Sequence, residues 1–207
     1  MSEIKAGQLL RIFRCDSSSE YAKRVMAQHD LRFVMECLLR LRQLNKQENS
    51  DDIIREALWN AAIIRFFSVF DGPNALKSDI LKELPEGAQE AFDFFNKYRD
   101  KHIAHKVNPI DQIKAGLFLS DPSTGVKEVE GIGNLAMEDA SFADAEFVDS
   151  IGRLTDALLK QVEKEIKIWG DQFLQEAKRQ PIDELYKLPP LRVVVPNSGY
   201  LHRRRRT

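Results

Sequence analysis

The sequence has few cysteines, no long apolar run and almost no net charge, and each absence excludes a class of protein. Two cysteines among 207 residues, Cys15 and Cys37, make neither a disulfide framework nor a four-ligand zinc site. No apolar run approaches the roughly 18 residues that a membrane-spanning helix needs. The first residues lack an apolar stretch followed by a small-residue cleavage site. We therefore expect no signal peptide, no membrane partner and a cytoplasmic location.

Charge is balanced over the chain but uneven along it. With 31 basic and 32 acidic residues the formal net charge is −1, which excludes a basic field over the whole molecule. Residues 121–150 carry eight acidic side chains and one basic one, whereas residues 178–207 carry eight basic and two acidic ones. The basic segment ends in four arginines, Arg203 to Arg206. They are a solubilising tail, a contact to RNA or an acidic surface, or an appended tag, and the sequence leaves all three hypotheses open.

Apolar residues recur at helical spacing in four long segments of the chain. The last of these has the clearest pattern, because its apolar positions step by three or four residues from Phe147 to Phe173. Serines before the first two segments are expected to cap their N-termini, with Ser50 as the cap of the second helix. The patterns predict long helices over residues 19–44, 51–70, 88–106 and 144–178, and a shorter helix over 75–84.

Residues 110–140 lose the helical period. Two short apolar segments, 115–119 and 126–129, flank a turn sequence and predict a β-hairpin. After Pro181 the chain contains further prolines and reads as an extended arm. We therefore predict an all-α fold, namely an up-and-down four-helix bundle with a small β-hairpin inserted between the third and fourth long helices. Residues 1–180 form one predicted domain, and residues 181–207 an extended, proline-containing basic arm.

Two of the four histidines lie three residues apart at the predicted end of the third helix. Counted from Arg99 at 100° per residue, His102 lies at about 300° and His105 at about 240°, within the apolar sector that holds Phe94 and Phe95. One interpretation is that both are core histidines beside a surface arginine. The other is a catalytic site at an interface, since histidine transfers protons near neutral pH and arginine binds phosphate through a planar fork. These groups suffice to cleave an RNA phosphodiester without metal.

The segment Tyr-Arg-Asp-Lys-His-Ile-Ala-His-Lys, residues 98–106, resembles the motif of the HEPN superfamily, in which four to six residues separate an arginine from a histidine. Here five residues separate Arg99 from His105, and Asp100 fills the polar position after the arginine. Together with the hairpin and the long last helix, the segment is similar to the abortive-infection AbiU-type branch. The resemblance covers roughly residues 19–178.

This resemblance implies a metal-independent endoribonuclease, a toxin or antiphage protein, that acts as a homodimer with one composite cleft built from two Arg–His pairs. It implies that Arg99 binds and stabilises the scissile phosphate, that His105 is the acid or base, and that Asp100 orients the motif. His102 is a second proton-transfer group or a core histidine. The nearby lysines either attract a phosphate backbone or form the solvated face of the helix; they are Lys97, Lys101 and Lys106.

The same resemblance leaves a non-catalytic alternative open, because some HEPN domains bind nucleotides or hold a partner through the same face. A cognate antitoxin or regulatory protein is a further expected partner. We expect no cofactor and no metal, since His102 and His105 would need further ligands among neighbours that are lysines. The glycine pattern from Gly131 to Ala136 matches a dinucleotide-binding motif but lacks the strand–turn–helix context that the motif requires.

Overall fold

The computed structural model describes residues 9–47, 51–100, 113–121, 123, 125, 128–136 and 145–191. Over these residues the chain is mostly helical with one small antiparallel sheet, in agreement with the predicted all-α class. The elements in chain order are α1 (Asp16–Leu44), α2 (Asp52–Ser68), a 3₁₀ helix (Ser78–Glu83), α3 (Ala88–Tyr98), β1 (Ile113–Leu119), β2 (Val129–Ala136), α4 (Ala145–Lys178) and α5 (Ile182–Lys187). In the described ranges, no helix is both long and apolar enough to cross a membrane.

The starts of the first two helices correct the predicted caps. α1 begins three residues before the predicted start, because the Ser18 hydroxyl accepts a bond from the Cys15 N–H and donates one to the Cys15 carbonyl, which closes the first turn. Asp51 rather than Ser50 caps α2. Its carboxylate accepts bonds from the backbone N–H groups of Ile53 at 2.9 Å and Ile54 at 3.3 Å.

A tight turn that contains Asp71 and Gly72 follows α2. Gly72 in this turn has a φ of +86°, a conformation that glycine adopts without steric cost. The Leu76 N–H donates to the Val69 carbonyl at 2.9 Å and closes the turn. The predicted helix over 75–84 is shorter and is a 3₁₀ helix, typical of brief connectors in which a few residues such as Ile80 and Leu81 reach the core.

The chain divides into two compact units, Ala22–Ile166 and a second one that combines Met1–Tyr21 with Lys167–Thr207. The core of the first unit is built by α1, α2, α3, α4 and the 3₁₀ helix together. Its largest fully buried side chains are Leu31, Leu38, Leu41, Ile63, Phe66, Phe67, Phe95, Ile151 and Leu158. The apolar stripe predicted for the fourth long helix therefore does face a core over this part of α4.

The second unit holds the chain ends and an aromatic contact. Phe13 stacks on Phe173 with ring centroids 5.9 Å apart, and the Ile12 N–H donates to the Pro189 carbonyl at 2.9 Å. The prediction of an extended arm needs correction over Ile182–Lys187, which form α5. Acidic side chains in its first turn favour a helix N-terminus, and the following prolines end it.

The predicted hairpin is confirmed, although its second strand begins later than expected, at Val129. Gly116 pairs with Gly133 and Leu117 with Ile132, and the register shifts after Phe118. The glycine pattern that resembles a dinucleotide motif therefore lies inside β2. A phosphate-binding loop between a strand and a helix is excluded there.

Candidate phosphate-binding cluster at Arg99

Arg99 lies immediately after the last residue of α3. Its backbone N–H donates to the carbonyls of Phe95 and Asn96, and the chain continues through Arg99 and Asp100 as a π-helical turn. Such turns occur often at functional sites, because they redirect side chains from the regular helical surface. The backbone of Arg99 is thus held by the end of α3.

An aromatic pair fixes the last turn of α3 against α2. The indole N–H of Trp59, a buried residue of α2, donates to the Tyr98 hydroxyl at 3.0 Å. The two rings meet edge to face with centroids 5.9 Å apart. Because Tyr98 precedes Arg99, this contact sets where the arginine side chain begins.

The Arg99 side chain is held on three sides, and we refer to Arg99, Asp100, Asp71 and Phe67 as the Arg99 cluster. Nε and Nη2 of Arg99 donate to the same oxygen, Oδ1 of Asp100, at 3.0 and 2.8 Å. Nη1 donates to Oδ2 of Asp71 at 3.1 Å. The guanidinium carbon lies 4.8 Å from the centroid of the Phe67 ring, a cation–π distance. The Arg99 side chain is 23% exposed, so the cluster reaches solvent.

The two carboxylates outnumber the one guanidinium, and the cluster carries a formal charge of −1. The side chain of Asp71 is 68% exposed and that of Asp100 is 54% exposed. Water screens charges at such exposure, so each ion pair is worth about 0–1 kcal/mol. The guanidinium therefore has a fixed plane and weakly held partners, an arrangement that can exchange a carboxylate for a phosphate.

Of the residues predicted for the site, the structure brings Arg99 and Asp100 into direct contact. Lys97 is exposed in the last turn of α3. Four further predicted residues lie outside the described ranges; they are Lys101, His102, His105 and Lys106. Within those ranges no group of three His, Cys, Asp or Glu side chains is arranged to hold a metal ion.

Sequence reasoning missed Asp71 and Phe67 as members of the site. The Asp-Gly-Pro sequence at residues 71–73 signals only the end of a helix, and Phe67 reads as part of the apolar stripe of α2. Asp71 and Arg99 are 28 residues apart. Their contact arises because α2 and α3 pack against each other, which no local spacing reveals.

The apolar face of α3 is covered only in part. Phe95 is buried, whereas Phe94 is 46% exposed and stacks on Phe147 of α4 with ring centroids 5.7 Å apart. Both rings line a cavity of about 200 Å³ between α3 and α4, together with Ala91 and Glu146. Aromatic surface of α3 is therefore exposed beside this cavity.

Comparison of the chain with models of protein families, with curated proteins and with solved structures finds no match. The case for a function therefore comes from the Arg99 cluster and from the motif in residues 98–106.

Proposed function

We propose that the chain is a metal-independent endoribonuclease of the HEPN type, built on an up-and-down four-helix bundle and acting as a toxin or in antiphage defence. The observation that carries this proposal is the Arg99 guanidinium, which lies over the Phe67 ring and is oriented by Asp100 at the end of α3. A planar guanidinium held in this way suits a phosphate, which it binds through two parallel N–H bonds. Asp100 takes the orienting role that the resemblance gives it.

The proposed reaction is the attack of a ribose 2′-oxygen on the adjacent phosphorus of the RNA. One histidine removes the 2′-hydroxyl proton, the P–O5′ bond breaks, and a second acid gives a proton to the leaving 5′-oxygen. His105 supplies one of these roles. The other role falls to His102, or to the His105 of a second copy of the chain. Arg99 stabilises the charge on the phosphorane oxygens. The products are a 2′,3′-cyclic phosphate and a 5′-hydroxyl, with no metal required.

A homodimer completes the proposed site by bringing two Arg–His pairs together. The exposed ring of Phe94 and the cavity beside it give α3 an apolar face that a second copy can cover. Lys97, with Lys101 and Lys106, supplies positive charge for the RNA backbone, which the near-neutral chain needs locally. A cognate antitoxin or regulatory protein is the further partner of the proposal, and the cytoplasm its location.

The second candidate is a non-catalytic HEPN module that dimerises, binds a nucleotide or holds a partner through the same face. One observation favours it, namely that both Asp71 and Asp100 neutralise Arg99 in the free protein. The ion pair between Arg99 and Asp71 also links the end of α3 to the turn after α2.

The experiment that separates the two candidates is RNA cleavage in EDTA by the full chain, with mapping of the product ends. We expect wild type to leave 2′,3′-cyclic phosphate ends. Arg99→Ala should lower the rate by about 10²–10³, the cost of losing a donor to the transition state, and His105→Ala should abolish cleavage. Arg40→Ala is the matched control, because Arg40 is an exposed arginine paired with Glu36 in α1.

Cleavage that survives both substitutions contradicts the assigned site. A folded, dimeric wild type that cleaves none of several RNA classes favours the non-catalytic module instead.

A further inference from the structure

The charge of the Arg99 cluster conflicts with phosphate binding as the cluster stands. Arg99 contributes one positive charge, and Asp71 and Asp100 contribute two negative ones, all within hydrogen-bond distance. The two carboxylates take three of the five N–H groups of Arg99, so a phosphate competes with them for the same cation. This inference rests on the proposed function and concerns which of the two carboxylates a phosphate displaces.

The geometry distinguishes the two carboxylates. Asp100 occupies the side edge of the guanidinium, because its Oδ1 accepts from both Nε and Nη2. Asp71 makes one bond, at 3.1 Å, to Nη1 at the other edge. It is also the more exposed of the two, so its ion pair is the weaker one. Asp71 is thus the partner that a ligand displaces at lower cost.

Asp71 also has space to move. It lines a cavity of about 140 Å³ with Met26, Asp30 and Asn74, so its carboxylate can rotate away from Arg99 without repacking the core. When it leaves, Phe67 and Asp100 still hold the plane of the guanidinium. Nη1 and Nη2 then each have an N–H group that is not bonded to Asp100 and can donate to a phosphate oxygen.

We propose that Asp71 occupies, in the free protein, the edge of Arg99 that a phosphate of the nucleic acid takes in the complex. Asp71 is then a residue that sets affinity, because each binding event must exchange its carboxylate for the phosphate. Asp100 has the opposite effect on affinity. It favours phosphate binding, because it keeps the guanidinium oriented while the exchange takes place.

The test is binding of a fluorescent 2′-O-methyl oligoribonucleotide to the full chain, measured by fluorescence anisotropy. This probe keeps the phosphates but lacks the attacking hydroxyl, so it measures binding alone. Asp71→Asn should tighten binding about two- to five-fold, the range expected for removal of an exposed ion pair. Asp100→Asn should weaken binding, and Arg99→Ala should abolish the gain when combined with Asp71→Asn.

The matched control is Asp93→Asn, which removes the same charge from an exposed residue of α3 that is bonded to Gln89. Asp71→Ala is a second variant of different shape and should act in the same direction as Asp71→Asn. Circular dichroism confirms that each variant is folded.

Equal affinity of Asp71→Asn and wild type overturns the proposal, as does a gain that Asp93→Asn reproduces. Weaker binding by Asp71→Asn overturns it too and makes Asp71 a positioning residue. Absence of binding in both proteins counts against it, because the exchange requires the freed edge to take a phosphate. Tighter binding by a variant that cleaves no RNA supports the exchange and contradicts only the nuclease.

Discussion

The guanidinium of Arg99 rests on the ring of Phe67, with 4.8 Å between the guanidinium carbon and the ring centroid. Phe67 is 1% exposed and belongs to the core, so a charged side chain lies directly on the core surface. Such a contact contributes about 0.5–2 kcal/mol, while the two bonds to Asp100 orient the plane of the guanidinium. The packing of α2 therefore contributes to the position of the Arg99 guanidinium.

Arg99→Lys separates the charge of Arg99 from its planar shape. We expect the variant to keep its stability within about 1 kcal/mol, because the exposed ion pairs are weak. RNA cleavage should nevertheless fall by about 10² or more, since lysine cannot form two parallel bonds to a phosphate. Urea denaturation and cleavage rates measure the two effects, with Arg40→Lys as the control. Full cleavage by Arg99→Lys contradicts the bidentate role.

Tyr98→Phe removes the acceptor of the Trp59 indole N–H. Because Trp59 is buried, loss of this acceptor should lower the free energy of unfolding by about 1–2 kcal/mol. Urea denaturation followed by circular dichroism measures the change. Tyr186→Phe is the control, since the Tyr186 side chain is exposed on α5. Loss of its hydroxyl should lower the free energy of unfolding by less than about 0.5 kcal/mol. Equal stabilities of the two variants disagree with the proposed anchoring of α3.

Asp51→Ala removes the cap of α2. The free energy of unfolding should fall by about 1 kcal/mol, because the N–H groups of Ile53 and Ile54 lose their acceptor. Asp51→Ser should retain most of the stability, since serine caps helices about as well as aspartate. Thermal denaturation of the three proteins compares them directly. A destabilised serine variant means that the charge, not the cap, is what matters.

Arg24→Gln should destabilise the chain more than Lys160→Gln. Arg24 of α1 meets Glu165 of α4 at 2.8 Å with both side chains largely buried, whereas Lys160 meets Asp156 on an exposed surface of α4. The first change leaves a poorly solvated carboxylate and should cost about 1–3 kcal/mol, and the second less than about 0.5 kcal/mol. Urea denaturation resolves the difference. Similar costs indicate that Glu165 finds another partner or water.

The long helices were predictable because their apolar patterns persist over many turns. The predicted helix over 144–178 is confirmed over the described residues Ala145–Lys178; residue 144 lies outside them. Short elements have no such redundancy. The 3₁₀ helix and α5 depend on nearby prolines, on charges near their ends and on a few contacts to neighbouring elements. The type of both elements was therefore predicted wrongly. The second strand was predicted too early in the chain, because the glycines within β2 interrupt the alternation of apolar and polar residues. Only its pairing with β1 determines where β2 lies.

The same distinction applies to the candidate site. Arg99 and Asp100 are neighbours in a motif and were predictable together, and the structure joins them by two hydrogen bonds. Asp71 and Phe67 were not predictable as their partners, because a contact between α2 and α3 brings them there. Sequence thus identified the group that binds phosphate in our proposal, and packing identified the group that competes for it.

The two cysteines of the chain fall one in each compact unit, Cys15 in the smaller and Cys37 in the larger. Cys37 is packed in the core, and burial raises the pKa of its thiol, so it is hidden from reagents and poorly ionised at once. It reacts only when the core around it opens, whereas Cys15 is partly exposed beside Ser17. The rate at which Cys37 is alkylated therefore times the opening of the larger unit, with the accessible Cys15 as an internal reference thiol and without any engineered label.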